Sequence, residues 1–316
     1  MLFTTLHIAL SCFTINPDTN KVADKDFCRD VVGVCSLNEK NSLNYIYDKQ
    51  IYANHCDTLP QVIFWRKIMK LTKDSALITV AGTRQLVDQV HAEDWKKLPD
   101  ECKNAFRDSV RNQLCLGDST RILVTEGKSF FYDFTDSPEK IHKGIDDFIE
   151  NGVDPWYAQA ILLIESPNKL QKSNVGAYGP FQLMKPVARM FGLKVNKSMD
   201  ERADFDRSAY AASCLIKKVC LPYAREMLNE QHIAYDEQDL WFRLFVMHCY
   251  HAGAGNVKAV LQTINPEKGG MELLQTMWHT QAKGFKTASQ NYSQLVLAAM
   301  LEMNGKVTIN TYALSE

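Results

Sequence analysis

The sequence predicts an α+β protein, in which a mostly helical C-terminal domain follows a smaller mixed α/β N-terminal region. Three observations predict it. The second half places apolar residues at helical spacing in one segment after another. The first half sets a short apolar run, Ala76 to Ala81, among helical stretches. Between the halves, Asp136, Ser137 and Pro138 form a polar cluster that marks a boundary, dividing 1–135 from 136–316. At 316 residues, 46% hydrophobic and 23% charged, the chain has the length of one large or two ordinary domains and the composition of a folded protein.

In chain order, residues 13–60 alternate polar runs with aromatic clusters such as Leu43 to Tyr47 and fit no one class. Val62, Ile63, Trp65 and Ile68 predict a helix over 61–71. Ala76 to Ala81 reads as a strand ending at Gly82. A helical stretch is expected through Leu86 and Val90, and another from Glu101 to Leu114, broken at Gly117. Arg121 to Thr125, Gly127-Lys128 and Ser129 to Phe134 read as a hairpin. From the boundary onward the elements are helical: 141–150, ended by Asn151-Gly152; 156–164; 207–229, after a charged stretch in which Asp204 and Asp206 read as caps; 240–250, with Asp239 as cap and Gly253 as stop; 257–264; and a last long helix containing Tyr292, Leu295, Val296, Ala299 and Met300.

The balance of 36 basic and 37 acidic residues gives a net charge of −1, so composition favours neither nucleic acid nor an anionic membrane surface. Nine cysteines are present, and the six in the first 115 residues would suit one or two disulfides in an oxidising envelope compartment. Cys214 and Cys220, six residues apart on one expected helix, stand about 9 Å apart along its axis, too far for a bridge, and read as packed thiols. No Cys-x-x-Cys or His-Glu-x-x-His pattern occurs; neither metal nor cofactor is expected. Met1 to Ser11 is apolar without Lys or Arg, and Ala9-Leu10-Ser11-Cys12 looks like the end of a lipoprotein signal with Cys12 as the anchor; the other reading is a terminal strand or helix packed on the domain.

The chemistry concentrates between Asp154 and Met184. Asp154 is a good N-cap, Pro155 suits the first helical position, and the apolar helix from Trp156 to Ile164 ends on one carboxylate, Glu165. Desolvation and the negative helix end both disfavour its anion, and each unit of upward pKa shift needs only about 1.4 kcal/mol. A glutamic acid is kept protonated near neutral pH in this way. After Ser166 and the helix-stopping Pro167-Asn168 pair, Gly176 and Gly179 allow close backbone approach, and Gln182 sets a two-faced amide among Phe181, Leu183 and Met184.

The pieces IES at 164–166, GAYGPFQLM at 176–184, DRSAYAASCLIKKV at 206–219 and CYHAGAGNV at 249–257 resemble, in order and spacing, the lytic transglycosylases with the goose-lysozyme-like fold, which cleave the glycan strands of bacterial peptidoglycan. The resemblance covers about the last half of the chain. It implies a lysozyme-like helical domain, Glu165 as the single acid and base, and Ser166, Gln182, Met184, Tyr250 and Tyr292 as groove residues, in an envelope protein that is periplasmic or lipid-anchored. It also implies 1,6-anhydromuramic ends, formed without the second carboxylate of ordinary glycosidases. Two positions depart from the family pattern: His251 stands where Asn is usual, and Ala288-Ser289 where a Glu-Thr pair is usual. The alternatives are a muramidase-type hydrolase on the same scaffold and a peptidoglycan-binding module without turnover.

Overall fold

The computed structural model describes residues 31–32, 43–166 and 172–306. Cys12 and the Pro167-Asn168 pair lie outside them. Strand β1 (Val31–Val32) pairs with β2 (Tyr47–Asp48), and α1 (Gln50–Ala53) leads into α2 (Pro60–Lys70), which opens on a proline and buries Val62, Phe64, Trp65, Ile68 and Met69. Then come β3 (Ser75–Val80), β4 (Leu86–His91), α3 (Ala92–Lys97), α4 (Asp100–Gln113) and β5 (Ile122–Glu126). The three strands form an antiparallel sheet in the order β4-β3-β5.

Two expectations for this region need correction. The stretch through Leu86 and Val90 is strand β4, because Gly82 (φ +78°) and Arg84 (φ +57°) turn the chain back along β3 before any helix can start. Its apolar residues fit a helical face as well as a strand, and pairing decides. Likewise 121–134 is no hairpin: β5 pairs with β3, and at Gly127, where a Cβ would stand 2.2 Å from the carbonyl oxygens of Leu71 and Thr72, the chain presses against 71–72 and then turns on the Lys128 carbonyl.

The helical part contains α5 (Ser137–Glu150), α6 (Trp156–Glu165), α7 (Lys185–Met190), α8 (Phe205–Leu215), α9 (Leu221–Glu230), α10 (Leu240–Ala252), α11 (Ala254–Ile264), α12 (Met271–His279) and α13 (Thr287–Asn304). Helices α8 and α9 join through a π-helical turn, Ile216–Cys220, so the expected single helix is one continuous run with a local widening. Cys214 and Cys220 are buried free thiols, as are Cys56 and Cys249, while Cys102 and Cys115 are free and exposed. The disulfides expected of the first 115 residues do not form among these described cysteines.

Helix α6 is the buried axis of the molecule. Every residue from Trp156 to Ile164 is buried, against α5 on one side and α13 on another. Its start is fixed by polar groups: Asp154 Oδ1 accepts the Trp156 N–H at 2.9 Å, and Oδ2 accepts Arg243 Nε at 2.8 Å. Asp48 Oδ2 accepts the Trp156 indole at 2.9 Å and faces Arg243 at 3.8 Å. Burial raises both carboxyl pKa values, Arg243 opposes that rise, and removing the arginine would leave two buried acids without a counter-charge. Gln159 closes the axis on the other side, exchanging two 2.8 Å hydrogen bonds with the Ile46 backbone.

One hydrophobic core runs from Tyr45 through α2 and α6 to Met303, and a second, smaller one lies between the sheet and α4 around Ile78, Val80, Val110 and Ile122. Helix α5 begins at the expected boundary, yet α2 packs against α13 across it. The Trp65 indole donates to Gln294 at 3.1 Å, and Arg66 and Lys70 pair with Glu302 at 2.6 and 2.7 Å.

Candidate active site

Glu165 is the last residue of α6, and burial raises its carboxyl pKa to about 7. The opposing influence is a 2.8 Å hydrogen bond from the Tyr292 hydroxyl of α13 to Oε1, which favours the anion. Tyr292 is itself buried, and His251 lies over its ring with centroids 4.2 Å apart and planes at 25°. Desolvation pulls the His251 pKa down to about 4, so the imidazole is neutral at neutral pH. Ala288, the other departure, is an exposed residue one turn before Tyr292.

Behind this pair a second polar chain fixes α13. The Trp278 indole donates to Ser293 Oγ at 2.7 Å, and Ser293 lies 2.9 Å from His248 Nε2. Burial drives the His248 pKa down to about 3. The imidazole is therefore neutral at neutral pH.

The glycine loop forms the facing wall. Tyr178 and Leu183 make an antiparallel bridge, turned by Gly179 (φ +88°) and Gln182 (φ +46°). A Cβ on Gly179 would stand 1.7 Å from the Arg202 carbonyl oxygen, so glycine is required there. Arg202 is buried; its Nη1 donates to the carbonyls of Gly176 (2.8 Å) and Leu183 (2.9 Å), while Nε and Nη2 hold Asp200 at 2.9 and 2.7 Å. Sequence reasoning missed Arg202, which lay in a stretch read only as charged; no spacing marks an arginine whose partners are backbone carbonyls. Asp204 is a cap, accepting the Arg207 N–H at 2.9 Å. Asp239 is not: Gln50 accepts the Leu240 N–H at 2.8 Å instead.

The residues singled out in the sequence come together here. Ser166 is buried and donates to the Pro180 carbonyl at 2.8 Å, tying the end of α6 to the loop. Tyr250 of α10 donates to the Phe181 carbonyl at 2.6 Å from the opposite side. Gln182 Nε2 donates to the Gly179 carbonyl at 2.9 Å, and Met184, 40% exposed, stands at the mouth. Glu165, Gln182, Met184, Leu215, Tyr250 and His251 line a cleft of about 210 Å³, with Ser173, Val175 and Val187. Ser166 and Tyr292 stand behind it. Tyr132 belongs to the same neighbourhood from the N-terminal side: it is buried, and the Glu165 charge adds to desolvation in pushing its pKa up. Among the described residues no cluster of three or more His, Cys, Asp or Glu could hold a metal ion.

Residues 149–270 match the family model for the transglycosylase SLT domain. That stretch is similar to an SLT domain and spans less than half of the chain. The likeness supports, in general terms, a transglycosylase-type function acting on peptidoglycan. No curated protein matches the chain. The matched span includes Glu165, Ser166, Gln182, Met184 and Tyr250, while Tyr292, whose hydroxyl bonds to Glu165, lies beyond it on α13.

Proposed function

We propose that the chain is a lytic transglycosylase that cleaves the β-1,4 bond between N-acetylmuramic acid and N-acetylglucosamine and leaves 1,6-anhydro ends, with Glu165 as the only acid and base. What carries this reading is a carboxyl of pKa about 7 in a cleft whose other described lining residues include no carboxylate. Near neutral pH such a group exists in both forms, as a residue must that first gives and then takes a proton.

Glu165 protonates the glycosidic oxygen as the bond from C1 breaks. The resulting carboxylate takes the proton of the muramic acid 6-hydroxyl as O6 bonds to C1. The acid is regenerated and no water is consumed. Tyr292 holds Oε1, which leaves Oε2 for the travelling proton. Gln182 and Met184 meet the sugar at the cleft. The hydroxyl protons of Ser166 and Tyr250 are committed to carbonyls of the glycine loop, so both fix the wall that holds the sugar, and Tyr250, which lines the cleft, offers it an acceptor lone pair.

Residues 136–316 form the catalytic domain in this reading, and the protein works in the bacterial envelope, periplasmic or anchored through Cys12. The test is Glu165→Gln: turnover of insoluble peptidoglycan should vanish while folding and co-sedimentation with the wall persist. Retention of more than about a tenth of wild-type turnover would contradict the assignment.

A further inference from the structure

The sheet has an open edge beside a second cleft, away from Glu165. In the β3–β5 pair the Gly127 N–H bonds to Ser75 O and the Ala81 N–H to Arg121 O. Hydrogen-bonding residues alternate along an antiparallel pair, so odd-numbered residues of β5 face β3, and the N–H and C=O groups of Ile122, Val124 and Glu126 point outward. No other described element takes them up.

A cleft of about 610 Å³ lies along this edge, lined by Val124, Thr125, Glu126, Trp95, Phe130 and the two lysines Lys73 and Lys128. Phe130 is 61% exposed, and Trp95 carries the small core out to the cleft. The Glu126 carboxylate is held by Lys96 at 3.2 Å, whereas neither Lys73 nor Lys128 has a carboxylate partner among the described residues. Lys128 lies over the Trp65 ring at 5.8 Å. A strand edge unpaired among the described residues, an aromatic side and two lysines without a carboxylate partner among them together fit an extended peptide with acidic residues: the backbone edge supplies affinity and the lysines supply the choice of charge.

We infer that β5 is a docking edge for an extended acidic segment of a partner protein, which joins the sheet as a fourth strand beside β5 with its carboxylates at Lys73 and Lys128. The test titrates the full chain into a fluorescein-labelled Thr-Val-Glu-Val-Glu-Val-Thr peptide and, separately, its counterpart with lysines for glutamates, reading anisotropy. The acidic peptide should bind at least about tenfold more tightly than the basic one. Lys73→Glu with Lys128→Glu should reverse that order. Val124→Pro removes one outward N–H without breaking the β3–β5 ladder and should abolish binding, with the thermal midpoint nearly unchanged. Absence of binding at about 1 mM chain, or binding indifferent to both changes, overturns the inference. So does a dimer in sedimentation that Val124→Pro dissolves, since a second copy would then be the occupant.

Discussion

A single hydrogen bond sets how far the Glu165 carboxyl departs from an ordinary glutamate. Burial raises its pKa to about 7 and the Tyr292 hydroxyl pulls it back, so Tyr292→Phe should raise it further and move the alkaline limb of the pH–rate profile up by about one unit. A limb that stays in place or moves down would show that Tyr292 does not act on this carboxyl. The same shift bears on stability. A carboxyl raised in the folded state stabilises below its unfolded pKa, and that contribution is lost as pH rises through the folded value. Between the ordinary value of 4.5 and about 7 the native state therefore loses stability. Glu165→Gln should gain about 1–3 kcal/mol at pH 8 and little at pH 4, measured by urea unfolding at both. Of these residues, the sequence made Glu165 legible, because an acid ending an unbroken apolar helix is unusual. It did not show that the Ser166 and Tyr250 hydroxyls point into backbone carbonyls, since nothing local tells a sugar ligand from a loop clamp.

At the scale of elements, the glycine loop is a wall fixed from outside itself. Arg202 holds two of its carbonyls and Gly179 admits the Arg202 backbone. Arg202→Lys keeps the charge but has one nitrogen in place of three, so it cannot hold both loop carbonyls and the Asp200 carboxylate together, and KM should rise by about tenfold with a smaller change in kcat. A fall in kcat alone would place Arg202 in the chemical step. Gly179→Ala should cost about 3 kcal/mol or more, read as a lowered unfolding midpoint, because φ of +88° and the Arg202 carbonyl both oppose a side chain. Helices α2, α4, α5, α6, α10 and α13 were readable because each keeps its apolar period over three or more turns or carries its own start and stop signals. Strand β4 was not, since Leu86, Val87 and Val90 suit either period over six residues and the turn at Gly82 and Arg84 settles the matter. The aromatic run from Phe130 to Phe134 looks like a strand for want of any local sign that Gly127 is pinned against 71–72.

Across the whole molecule, residues on both sides of position 136 share one hydrophobic core. Asp48, Trp65, Arg66 and Arg84 all bind the helical part, and Arg84 reaches Asn291, the neighbour of Tyr292, at 3.1 Å. The N-terminal region thereby braces the helix that orients Glu165. Removing α2 would uncover Val62, Trp65, Ile68 and Met69 along with the α13 face they cover, at about 1.5–3 kcal/mol for each side chain, comparable with the whole stability of a domain. A fragment of residues 136–316 should therefore lack a cooperative thermal transition, and a sharp one in its near-UV circular dichroism would refute the brace. The central claim concerns what leaves the cleft, and mass spectrometry of the soluble products from purified peptidoglycan tests it most directly. The account predicts products lighter by one water than the corresponding reducing muropeptides, absent with Glu165→Gln. Reducing-end products of full mass would contradict it and make the chain a hydrolase on the same scaffold.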